Sequence, residues 1–133
     1  MSATTIVHAL LSVAPGVTAL AGVRVYPTML PEGVPTPALV HEEISTVDLG
    51  TINAQQPYAL RRSRVQINAL ALQFADAAAL LAAACAAVQF QRGSIAGKTV
   101  VSILRDRTGP NGFDPDLNLY HHIADLMVTW QDP

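Results

Sequence analysis

The sequence predicts a single α+β domain: a mainly antiparallel sheet of four to five strands, with a short N-terminal helix and one long helix packed on it. Three observations predict it. The 133 residues suffice for one domain with an ordinary core. Arg61 to Leu72 alternates as a half-buried strand does, with Val65, Ile67, Ala69 and Ala71 on one side and Arg64, Gln66 and Asn68 on the other. Phe74 to Arg92 has helical spacing, Phe74, Ala78, Leu81, Cys85 and Val88 forming one stripe. The order helix, strand, strand, strand, helix, strand, strand lacks the alternation of a doubly wound fold.

Taken in order, Ser2, Thr4 and Thr5 can cap a first helix. Ile6, Leu10 and Val13 repeat along it, and Pro15-Gly16 ends it, since the residue before proline is pushed out of helical geometry. A short turn over Val17 to Ala21 stops at Gly22. Val23 to Tyr26 reads as a short strand. Pro27, Pro31, Pro35 and Pro37 then exclude both helix and central strand. Ala38 to Thr46 is a strand, and Val47 to Tyr58, with Gly50, Asn53 and Pro57, an extended arm. After the long helix, Gly93 and Gly97 bracket a tight connection to a strand over Lys98 to Arg107. Thr108 to Asp116 is a loop, and Leu117 to Trp130 a long last strand. Nothing divides the chain, so residues 1–133 are expected to form one domain with 47–58 as its arm.

Composition narrows the function. Charged residues make up 14% of the chain, against about 25% in an average protein. A surface so poor in charge suits a subunit covered by neighbours. The face of the long helix opposite its stripe (Asp76, Ala79, Ala83, Ala86, Phe90) carries alanine where a solvated face carries lysine and glutamate. The net charge of −2 is not the footprint of a sequence-reading nucleic-acid binder. A lone cysteine, Cys85, permits no intrachain disulfide, and synthesis in a reducing cytoplasm is expected. The apolar stretch Ile6 to Ala14 is broken by His8 and Ser12 and preceded by no Lys or Arg, so no secretory signal is expected. The longest apolar run, Ala77 to Val88, is too short to span a bilayer.

No chemistry-bearing constellation survives inspection. Gly93-Ser94-Ile95-Ala96-Gly97-Lys98-Thr99 resembles a phosphate-binding loop, but has one residue too few between its glycines. It also follows a helix and precedes a strand, the reverse of what aims N–H groups at phosphate. His121 and His122 are adjacent on a strand and so point to opposite faces. His41-Glu42-Glu43 lacks the histidine pair of a zinc protease. Cys85 lies in an apolar stripe, where a thiol is a core residue. Asp114 and Asp116 flanking Pro115 are turn chemistry. Arg61, Arg62 and Arg64, with Arg105 and Arg107, form two basic clusters; Arg62 and Arg64 share a face, as do Arg105 and Arg107. No aromatics interleave to stack on bases, so salt bridging within or between subunits is their expected role.

The order of weak motifs carries a resemblance. Ile6-Val7-His8-Ala9-Leu10-Leu11 leads to Pro15-Gly16-Val17-Thr18-Ala19-Leu20, then Val23-Arg24-Val25-Tyr26-Pro27. A proline-rich loop follows, with Pro37-Ala38-Leu39-Val40-His41 opening a strand to Ile44-Ser45. After the arm come Arg64-Val65-Gln66-Ile67-Asn68-Ala69 and an alanine-rich helix. From about Ile6 to Val128 the chain resembles the tail-terminator, or tail-completion, proteins of long-tailed bacteriophages and phage-like gene transfer particles. Leu70 stands where that family would place an aromatic residue.

The resemblance implies a structural virion protein with no catalytic residue, cofactor or metal. It implies a homo-oligomer, a hexameric ring on the head-proximal end of the tail tube. That ring stops tube polymerisation and joins the tube to the head connector or stopper protein. DNA passes through its channel without sequence-specific binding, and a neutral or acidic wall is expected, since a basic one would hold phosphates. No membrane is involved; the protein is assembled in the bacterial cytoplasm into the tail neck. The residues expected at assembly interfaces are Thr51, Ile52, Asn53, Gln55 and Gln56 of the arm, Arg61, Arg62 and Arg64 of the strand, and Ala79, Ala83 and Ala86 of the helix. The alternatives are a head–tail stopper or other neck protein of the same particle, and a small-molecule-binding protein or enzyme, which requires a deep pocket with convergent titratable groups.

Overall fold

A computed structural model describes residues 3–49 and 60–131. Among these residues, three helices cover one face of a seven-stranded sheet. The elements are α1 (Ala3–Val13), α2 (Pro15–Ala21), β1 (Val25–Pro27), β2 (Ala38–Asp48), β3 (Arg61–Ala71), α3 (Phe74–Val88), β4 (Gly93–Ile95), β5 (Lys98–Thr108), β6 (Gly112–Asp114) and β7 (Leu119–Gln131). The strand order is β1-β2-β3-β7-β5-β4, with β6 on β7 beyond the end of β5. All pairings are antiparallel except β1 with β2. Among the described residues no single helix is long and apolar enough to cross a membrane.

The α+β class holds, but the sheet has more strands and the helical layer one more helix than expected. The extra helix is α2, which was expected as a turn. Pro15 does end α1, but it also occupies the first turn of α2, where its fixed φ and missing N–H cost nothing. Ala14 is extended, as a residue before proline should be, and the two helices meet at 80°. Gly22 ends α2 at φ 60°, its N–H bonded to the Thr18 carbonyl at 2.9 Å.

The extra strands are three-residue pieces. β4 and β5 form a hairpin across Ala96-Gly97, both at positive φ as a tight two-residue turn requires. That is the segment resembling a phosphate loop; a strand, not a helix N-terminus, follows it. Gly112–Asp114, expected as loop, pairs with Leu119–His121. The helix α3 ends at Val88, short of the expected Arg92, because Gln89 is extended and Phe90 turns to φ 67°. β2 runs on to Asp48, paired with Arg61, so the expected arm loses its first residues to the sheet. The rest of that arm, with Thr51, Ile52, Asn53, Gln55 and Gln56, lies outside the described residues.

The core lies between the helices and the sheet. Ile6, Val7 and Leu11 of α1, Val17 of α2, and Leu80, Ala84 and Val88 of α3 meet Val65, Ile67 and Ala69 of β3 and Leu126, Val128 and Trp130 of β7. The buried side of α3 is rotated from the expected stripe: Ala77, Leu80 and Ala84 join Leu81, Cys85 and Val88. Phe74 is 53% exposed and packs edge-on against the rings of Tyr120 and His122. On the other side of the sheet, Val40, Leu70 and Leu119 form a small cluster beneath Leu30 of the proline-rich loop. Among the described residues no helix covers the rest of that side.

Candidate assembly surface

The uncovered side is built by alternation. β3 sends Arg62, Arg64 and Gln66 away from the helices, β7 sends Asp125, Met127 and Thr129, and β5 sends Ser102 and Leu104. Of these, Arg62, Arg64, Met127, Thr129, Ser102 and Leu104, together with Arg105 and Asp106, line a depression of about 400 Å3, open to solvent. Arg64 organises it. Its Nη1 donates to Asp106 Oδ2 at 2.6 Å and to Asp125 Oδ2 at 3.2 Å, reaching across β7 to do so. Gln66 Nε2 donates to Asp125 Oδ1 at 3.3 Å, and Arg107 Nε stands 3.9 Å from Oδ2. The Asp106 hydrogen bond, above all, raises the Arg64 pKa. Asp125 is buried, and a buried carboxylate persists only with such partners. Pairing inside the subunit is thus one role these arginines have.

Of the two basic clusters, Arg62 and Arg64 share the open face as expected, and the second is laid out differently. Arg61 leaves its neighbours: it pairs with Asp48 at 3.5 Å and lies 5.1 Å from the Trp130 ring centre, on the helix side. Arg105 and Arg107 were expected to share a face. A bulge at Asp106 parts them, since Arg105 aligns with core-facing Leu126 and Arg107 with outward Asp125. Arg105 instead reaches Cys85, whose thiol pKa is raised by burial and drawn back only partly by Arg105. A buried thiol of that kind is inert. The Asp106–Arg64–Asp125 cluster was missed; its one sequence signal is a carboxylate inside the apolar run Ile123 to Val128.

The alanine face of α3 is present in part. Ala79 and Ala86 are exposed, in line with Ala75 and Ala82. Ala83 is not on that stripe: it is half-buried against α2 at Gly16, because α2 occupies the flank the sequence left open.

The remaining titratable groups fall apart as sites. His121 and His122 do face opposite sides: His121 lies beside Gly112 at the sheet surface and His122 beside Phe74 under the helices. His8 Nδ1 and His41 Nε2 are 2.9 Å apart, tying α1 to β2. Burial and His8 push the His41 pKa down to about 4. Among the described residues no group of three or more His, Cys, Asp or Glu is placed to hold a metal ion.

Residues 5–131 match the model of the family described as tail completion protein gp17. The chain belongs to that family. Membership makes it a structural component of a virion tail, and the surfaces just described are those of a tail completion subunit. No curated protein matches its sequence. Its fold is similar to that of a chain in the virion of a native gene transfer agent particle, with a TM-score of 0.76. The two share 17% sequence identity over 95% of this chain and 92% of that chain.

Proposed function

We propose that this tail completion protein is the subunit of a ring, a hexamer by family analogy, that caps the head-proximal end of the tail tube. The ring ends tube polymerisation and gives the head connector or stopper protein its docking surface. DNA crosses its channel without sequence-specific binding. The likeness to a gene transfer agent chain favours a phage-like particle of that kind as one setting.

The observation that carries the reading is the family match over residues 5–131, on a chain whose described helices all lie on one side of the sheet. Among the described residues, the second sheet face is open outside the small cluster at Leu70, and α3 adds a stripe of exposed alanine on the far side. Two unlike surfaces on one subunit suit head-to-tail rings and layered contacts better than a free monomer.

The test is to polymerise purified tail tube protein with and without this chain and image the products by negative stain. Capped tubes of limited length, each with a ring at one end, are the expected result. Unlimited tube growth, with the chain bound to DNA-filled heads instead, would assign it to the head–tail stopper.

A further inference from the structure

The sheet has two free edges, and they match. β1 covers β2 only over Leu39 to His41, and β4 covers β5 only over Lys98 to Val100. Among the described residues no strand pairs with the outer edge of β2 from Glu42 to Asp48. Among the described residues the outer edge of β5 is likewise without a strand from Val101 to Thr108, and there Phe90 N–H donates to the Ile103 carbonyl at 2.8 Å. The longest clear stretch of that edge is therefore Leu104 to Thr108.

These stretches stand at the same level of the sheet. Glu42 aligns with Gln66, Gln66 with Asp125, and Asp125 with Arg107. One row on, Glu43 aligns with Val65, Val65 with Leu126, and Leu126 with Arg105. Each row thus begins with an acid on one edge and ends with a base on the other. Glu42 and Arg107 both face the open side; Glu43 and Arg105 both face the helices. Glu42 is exposed, and the Arg107 side chain is 67% exposed. Both edges also bulge within neighbouring rows, β2 at Ile44 and β5 at Asp106.

We infer that the partner of each edge is a second copy of this chain: β2 of one subunit pairs antiparallel with β5 of the next, Glu42 opposite Arg107 and Glu43 opposite Arg105. The inference rests on the ring reading above and names the lateral contact. Strand direction agrees, since β2 and β5 run antiparallel within the subunit through β3 and β7. So does geometry. A closed ring is generated by rotation alone, and edges at one level meet without sliding along the strands. Charge and bulges on an edge ordinarily keep strands apart. Here each edge repels its own kind and attracts the other, which disfavours a two-fold dimer and favours head-to-tail closure.

The test uses two single variants, E42K and R107E, in the full chain, with thermal melts to confirm folding. Rings on tail tubes are counted by negative stain over a concentration series. Each variant alone sets like charges at every junction and is expected to need about fivefold more protein per junction. An equimolar mixture makes every junction of an alternating ring complementary again and restores assembly. Rings formed equally well by both variants overturn the edge assignment and leave the ring reading intact. Folded variants that the mixture fails to rescue overturn it as well. If wild-type chain forms no ring on tubes, the ring reading falls and this inference with it.

Discussion

Trp130 shows how a residue near the end of β7 is fixed from several sides. Its ring is buried, with Arg61 5.1 Å and Lys98 5.2 Å from the ring centre. Its Nε1–H donates to Ser63 Oγ at 2.9 Å, and Ser63 is 2.8 Å from Thr46 Oγ1. Ser63→Ala leaves a buried indole N–H without its acceptor, a loss of about 1–3 kcal/mol; urea unfolding should show a lower midpoint at unchanged slope. His41 makes stability depend on pH. Burying an unpaired N–H costs more than burying a bare lone pair, so the favoured tautomer has His41 Nε2–H donating to His8 and Nδ1 unprotonated. A second proton on the His41 ring must then sit on Nδ1, a buried position with no acceptor. The unfolded chain takes up that proton near pH 6.5 and the folded one only near 4. Stability is therefore full above about pH 6.5, falls as pH drops toward 4 and levels off below, by up to about 3 kcal/mol. Unfolding curves between pH 7 and 4 should show this slope, and His41→Gln should flatten it. The pKa of His122 is also lowered by burial and by His121, and adds in the same direction.

Among the elements, α3 separates packing from assembly. Ala79 and Ala86 are exposed, whereas Ala83 touches α2. Glutamate is nearly as good a helix former as alanine. The double variant A79E/A86E should therefore melt within a few degrees of wild type yet lose tail or ring assembly, read on tail tubes. Ala83→Glu should instead lower stability by about 1–3 kcal/mol, because the charge enters the α2–α3 contact. Normal assembly by A79E/A86E would remove the alanine stripe from the interface. The same helix shows what its sequence hid. Its alanine content conceals which side is buried, since Ala77 and Ala84 are buried while Ala79 and Ala86 are not. Alanine carries too little hydrophobic contrast to mark a face.

At the scale of the molecule, the long strands were legible because each alternates over many residues or lies between clear turns. β3 is the plainest case, from Arg61 to Ala71. The three-residue strands β4 and β6 were not, since each exists only through its partner on β5 or β7. The bulge at Asp106 has the same origin: it is defined by register against β7 and moves Arg105 and Arg107 to opposite faces. By itself the sequence determined an α+β chain poor in charge, with Cys85 buried and the adjacent His121 and His122 on opposite faces, because these follow from composition and local period. Only the tertiary structure decided that Glu42 and Arg107 end one row of the sheet, and that Arg64 joins Asp106 to Asp125. Those facts depend on strand order and register between segments far apart in the chain, and the period within a strand does not encode which strand lies beside it.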